Sequence, residues 1–96
     1  MRFLITVEWS SKSEADQVRV LDMFNKWTPP VPLTEWSGFA DGSGFMAIAE
    51  TDDVGALAAI AAPWTAYLDF TVRALQPIQQ TAEVMASAIE FRNAVG

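Results

Sequence analysis

Apolar and polar residues alternate through Arg2–Trp9, with Phe3, Ile5, Val7 and Trp9 on one face and Leu4, Thr6 and Glu8 on the other. A period of two residues predicts a strand. Its second face is mixed rather than polar, so that face is expected to meet something besides bulk water. After Ser10–Ser13 the period lengthens: Val20, Leu21, Phe24 and Trp27 recur at three- and four-residue spacing, the stripe of an amphipathic helix. Ser11 or Ser13 can cap it, and Glu14 completes a capping box if Ser11 does. Thr28-Pro29-Pro30-Val31-Pro32 ends the helix, because proline removes amide donors and turns the preceding residue away from helix.

The alternation returns in Leu33–Phe39 and Gly44–Thr51, around Ala40-Asp41-Gly42-Ser43-Gly44. Glycine tolerates the positive φ of a tight reversal, so this reads as a hairpin. Thr51 or Asp52 can cap an alanine-rich helix over 53–62, with Leu57, Ile60, Ala61 and Trp64 inward and Pro63 closing it. Leu68–Ile78 reads as a fourth strand: Phe70, Val72 and Ala74 oppose Asp69, Thr71, Arg73 and Leu75, with Pro77 at its end. A last helix over 79–95 carries Val84, Ala88, Phe91 and Val95 on one side, with Met85 and Ile89 beside them, and is expected to dock.

The order β-α-β-β-α-β plus a helix predicts a single α+β domain over 1–96, with a core of 1–78 and a C-terminal helix at 79–95. Right-handed crossovers fold it into a ferredoxin-like sheet of order 4-1-3-2 with both main helices on one face. Pairing the other face with a second copy would make a dimeric α/β barrel, and that assembly is expected here.

Composition narrows the partners. Ninety-six residues bury only about 60 to 65% of the extended chain's surface, so the 51% hydrophobic content predicts a homodimer interface. A net charge of −6 without a Lys/Arg cluster argues against nucleic acid and anionic membranes. The apolar run near Val54–Trp64 falls short of the roughly 20 residues of a membrane span. The N-terminus has no signal-peptide cleavage pattern, and a cytoplasmic location is the expectation. With no cysteine or histidine, disulfides, thiol catalysis, histidine-based triads and the usual zinc sites drop out. Asp41, Glu50, Asp52 and Asp53 are the densest acidic region, but Asp52 and Asp53 are better read as caps of the following helix than as metal ligands, so no metal or cofactor is expected.

Candidate chemistry gathers on the second sheet face. Thr6 and Glu8 share it with Thr71 and Arg73 from the fourth strand and with Glu50 from the third. Glu8 and Arg73 could pair across strands there, as a simple ion pair or as part of a polar site with Glu8 or Glu50 as a general base. Thr6, Thr71 and Tyr67 would contact a ligand, and Trp9 and Trp36 would stand at a cavity mouth. Trp27 and Trp64 sit on helix core stripes and read as packing residues, while Glu35 and Ser37 carry a weaker signal.

The opening MRFLITVEW, the proline-rich connector, WSGFADGSGFMAIAETDD and APWTAYLDFTVRALQPI together resemble the DUF3303 family of small bacterial proteins. The resemblance covers Met1 to about Ile78, and Asp41-Gly42-Ser43-Gly44 followed by Glu50-Thr51-Asp52-Asp53 is its most specific part. It implies a dimeric α/β-barrel-like fold and no assigned activity. The wider superfamily it points to includes cofactor-free monooxygenases, lactone isomerases, haem-degrading enzymes and small-molecule binders, among which fold does not choose. Without histidine the usual haem ligation has no axial residue here. The leading expectation is a homodimer that binds a small organic molecule in a sheet-face cavity. The alternatives are a cofactor-independent isomerase, cyclase or monooxygenase using a buried carboxylate, and a structural accessory protein.

Overall fold

In a computed structural model describing Met1–Gly96, the alternation of the N-terminal segment becomes a central strand, β1 (Arg2–Trp9). It is followed by α1 (Glu14–Lys26), β2 (Leu33–Gly38), β3 (Gly44–Glu50), α2 (Val54–Ala61) with a 3-10 turn at Ala62–Trp64, β4 (Leu68–Leu75) and α3 (Ile78–Val95). The strands form one antiparallel sheet in the order β2-β3-β1-β4, the ferredoxin-like arrangement. Register places Phe45, Ala47 and Ala49 of β3 and Phe70, Val72 and Ala74 of β4 beside Val7, Ile5 and Phe3. This face carries the core, where Phe3, Ile5, Val7, Ala49 and Leu68 meet Val20 of α1, Leu57 and Ile60 of α2, and Trp64.

The local devices are specific. Ser13, rather than Ser11, caps α1, its hydroxyl accepting the Asp16 amide at 3.1 Å. Ser11 supports that cap by donating to Asp16 Oδ2 at 2.6 Å and accepting the Ser13 amide at 3.3 Å. Asp53, rather than Thr51 or Asp52, is the N-cap of α2, accepting the Gly55 amide at 2.9 Å. In the hairpin Gly42 takes φ 77°. Gly44 is required for another reason: a Cβ there would lie 1.8 Å from the Val7 carbonyl oxygen of β1. Pro77 stands at the N-cap of α3 and so ends the strand pattern at Leu75.

β2 carries an irregularity. Thr34 pairs with Ile48 and Ser37 with Met46, so Glu35 and Trp36 together oppose the single residue Ala47. This is the two-against-one count of a bulge, and Glu35 adopts φ 54°, the chain's one non-glycine residue in the left-handed region. The extra residue turns Trp36 to the helix side of the sheet, where its ring lies 6.4 Å from that of Phe45.

Two expectations are corrected. The sheet is open, with β2 and β4 as free edges, and does not close into a barrel. The outer face is polar at one end, where Glu8 is directly opposite Asp69 and Thr6 lies between Thr71 and Met46, and apolar at the other, where Leu4 pairs with the buried Ile48. Two adjacent carboxylates favour water over an apolar cover, and an antiparallel sheet can leave one face solvated. The second correction concerns α3. None of its residues is buried, and the molecule extends 57 Å along its long axis against 27 and 21 Å across it. The last helix therefore projects from the domain. No helix is long and apolar enough to cross a membrane.

Candidate functional site

The interior space lies between α1 and the sheet, on the face opposite the one where the polar candidates gather. A cavity of about 340 Å³ is bounded there by 17 residues, of which 15 are hydrophobic. Its floor is the helix-side row of the sheet: Ile5, Val7 and Trp9 of β1, Phe45 and Ala47 of β3, and Leu68 and Phe70 of β4. Val20, Leu21 and Phe24 of α1, with Trp27 at its C-cap, roof it, and Leu33, Trp36, Ser37 and Gly38 of β2 close one side. Ile60 and Trp64 stand at the α2 end.

The α1 stripe explains the cavity. Its four apolar residues all turn to the interior space, yet only Val20 is buried. Phe24 is 47% exposed and Trp36 is 42% exposed, and their rings meet edge-to-face with centroids 5.8 Å apart. These two aromatic residues bridge α1 and the edge strand and form the rim. Trp27 and Trp64 make a second edge-to-face pair at 5.1 Å deeper in. The lining also includes two small residues, Ala47 and the exposed Gly38 at the end of β2; a Cβ on Gly38 would meet nothing within 4 Å. Large side chains hold the layers apart where small ones leave the space unfilled.

The lining contains no ionisable side chain. Ser37 is its sole residue with a hydroxyl, and the rest of the wall is almost wholly apolar. Such a surface can enclose an apolar or aromatic molecule and offer a carbonyl or ether oxygen a hydrogen bond. It has no acid or base to move a proton.

The sequence candidates divide accordingly. Trp9 and Trp36 line the cavity, and so do Trp27 and Trp64, which read as packing residues in the sequence. Thr6 and Thr71 face each other in register on the open face. Glu8 and Glu50 are exposed; Glu8 lies opposite Asp69, and Glu50 opposite Arg2. Arg73 is exposed and opposite Leu4, so Glu8 and Arg73 are four residues apart in register and form no ion pair. Tyr67 packs half-buried against the core, its carbonyl accepting the Ser10 amide at 3.1 Å, and does not line the cavity. Glu35 is exposed at the bulge.

The perturbed carboxyls lie elsewhere. Asp41 is held below its usual value by a hydrogen bond from the Ser43 side chain and another from the Ser43 amide. Asp52 is lowered by its hydrogen bond with the N-terminal ammonium, at 2.8 Å, and by that group's charge.

A family model described as a domain of unknown function, DUF3303, matches residues 1–89. No curated protein matches the chain, and no solved structure does.

Proposed function

Because the chain belongs to the DUF3303 family, a domain of unknown function, we propose from its geometry that it binds a small, uncharged, largely aromatic or alicyclic molecule between α1 and the sheet. The observation that carries this reading is the 340 Å³ cavity with 15 hydrophobic residues of 17 and no charge in its wall. That volume lies at the lower end of the roughly 300–1,000 Å³ of small-molecule pockets. It suits a compound of about one or two rings. A charged ligand would lose its hydration with no counter-charge to replace it, so free carboxylates and phosphates are poor fits. Trp9 and Trp36 are the proposed contacts, Trp36 at the entrance and Trp9 on the floor.

This is a binding function rather than a catalytic one. Glu8 and Glu50, the carboxylates available for proton abstraction, are exposed and do not line the cavity. The excess of apolar surface that a small chain exposes supports a homodimer as the working assembly.

The test is a titration with 6-propionyl-2-dimethylaminonaphthalene, a neutral bicyclic probe, followed through its own emission and through tryptophan quenching. Saturable one-to-one binding that is competed by other neutral bicyclic compounds is the expected result. Linear, unsaturable uptake, or saturation that is insensitive to Trp36→Ala, would sink the proposal.

A further inference from the structure

The projecting helix α3 presents more apolar surface than any other element, and its spacing has an order that the rest of the domain does not use. Thr81, Val84, Ala88, Phe91 and Val95 follow one another at intervals of three, four, three and four residues. That is the a/d seam of a helix pair. Val84 is 63% exposed, Phe91 68% and Val95 73%. Glu83 and Glu90 fall well away from this seam, on the side shared with Gln79 and Ser87.

We infer that α3 is the dimerisation element, its seam pairing antiparallel with the same seam of a second copy. Three observations select a second copy. The first is self-complementarity: a two-fold axis makes residue i meet residue j twice over. Set antiparallel, Phe91 of each chain packs over Ala88 of the other, and Val84 against Val95. This gives four layers, with the one large ring always over the smallest residue, as a packed interface needs.

The second is area. The exposed apolar surface of Val84, Phe91 and Val95, with Met85 beside the seam, comes to roughly 500 Å² per copy, so a pair reaches the ~1,000 Å² that a specific interface needs. The third is charge. Helices that lie on membranes are rich in Lys and Arg on the polar face, whereas α3 has Arg92 alone beside Glu83 and Glu90, in a chain of net charge −6. An isolated helix of this length is marginal in water, and no residue of α3 is buried within its own chain.

The inference rests on the homodimer reading above and not on the ligand. Sedimentation equilibrium of the full chain at micromolar concentration is expected to give twice the 10.5 kDa monomer, and Phe91→Asp is expected to give the monomer. The chain has no cysteine, so orientation can be read directly. An equimolar mixture of Val84→Cys and Val95→Cys chains should oxidise to the mixed disulfide dimer, with either variant alone cross-linking far less. A dimer that survives Phe91→Asp would keep the homodimer and overturn the seam. Equal cross-linking of Val84→Cys alone would overturn the antiparallel order. A monomeric wild type would overturn both readings, and if it bound neutral-lipid vesicles through α3, the stripe would belong to a membrane.

Discussion

Phe24 of α1 and Trp36 of β2 stand edge-to-face with ring centroids 5.8 Å apart, joining a helix to an edge strand across the entrance of an apolar cavity. Such pairs contribute about 0.5–1.5 kcal/mol beyond burial. A double-mutant cycle on Phe24→Ala and Trp36→Ala, read by urea denaturation, is expected to show a coupling of about 1 kcal/mol. Additive losses would mean that the rings are neighbours without interaction. Trp36→Ala should also weaken probe binding by roughly tenfold or more, since one buried aromatic contact corresponds to at least about 1.4 kcal/mol.

Gly38 gives a cleaner way to close the cavity. It lines the space, it does not use a positive φ, and a Cβ there meets no atom within 4 Å. Gly38→Val should therefore fill the entrance without a clash, and a β-branched residue suits a strand. Its melting temperature is expected to equal or exceed that of the wild type, while saturable probe binding disappears. Unchanged binding would place the probe elsewhere.

Gly44→Ala has the opposite character. The added carbon would sit 1.8 Å from the Val7 carbonyl, which is held in the central strand and cannot retreat. A loss of about 3 kcal/mol or more is expected, at or above the upper end of overpacking costs. Denaturant midpoints measure it directly. Glu35→Gly should instead stabilise by about 1 kcal/mol, because glycine carries no penalty at φ 54°.

Acid should expose the contribution of the hairpin turn. Asp41 has a folded pKa lowered from 3.8, first by the Ser43 side chain and then by the Ser43 amide. A carboxyl lowered on folding stabilises the fold above its unfolded pKa and loses that contribution as pH falls through the folded value. Asp41→Ala is thus expected to melt below the wild type at pH 7, and the gap should close by about pH 2. A gap that stayed constant down to that pH would assign the loss to turn conformation rather than to the carboxylate.

Hydrophobic period set the element order, since Phe3, Ile5 and Val7 alternate and Val20, Leu21, Phe24 and Trp27 do not, and right-handed crossovers then led to the sheet order observed. It turned the α1 stripe inward and put Trp9 in one row with Phe3, Ile5 and Val7, but it set the cavity on the other sheet face with Trp9 and Trp36 at its mouth, whereas the space lies on the helix side and Trp36 reaches it through the bulge. It could not give the distance between the layers. Leu21 and Phe24 read as filled core, and only their height above the sheet makes a cavity of them. The Glu8–Arg73 pairing failed for a matter of register, since facing the same way leaves two strands free to slide by whole pleats, and here Glu8 meets Asp69. The left-handed backbone of Glu35 had no signal, glutamate being an unremarked residue in a strand. The α3 stripe was visible, but periodicity names a buried face without naming its partner.

The bulge at Glu35 and Trp36 has an effect beyond aiming an indole. β2 is one outer rim of the sheet, and a regular rim is a template on which a foreign strand can add. Two residues set against one interrupt that ladder midway along a six-residue strand. Pro30 and Pro32, without amide hydrogens, lead into it. Fibril-like growth is thereby discouraged at this rim, and any strand addition in this family member would start at β4, whose eight residues run in unbroken register.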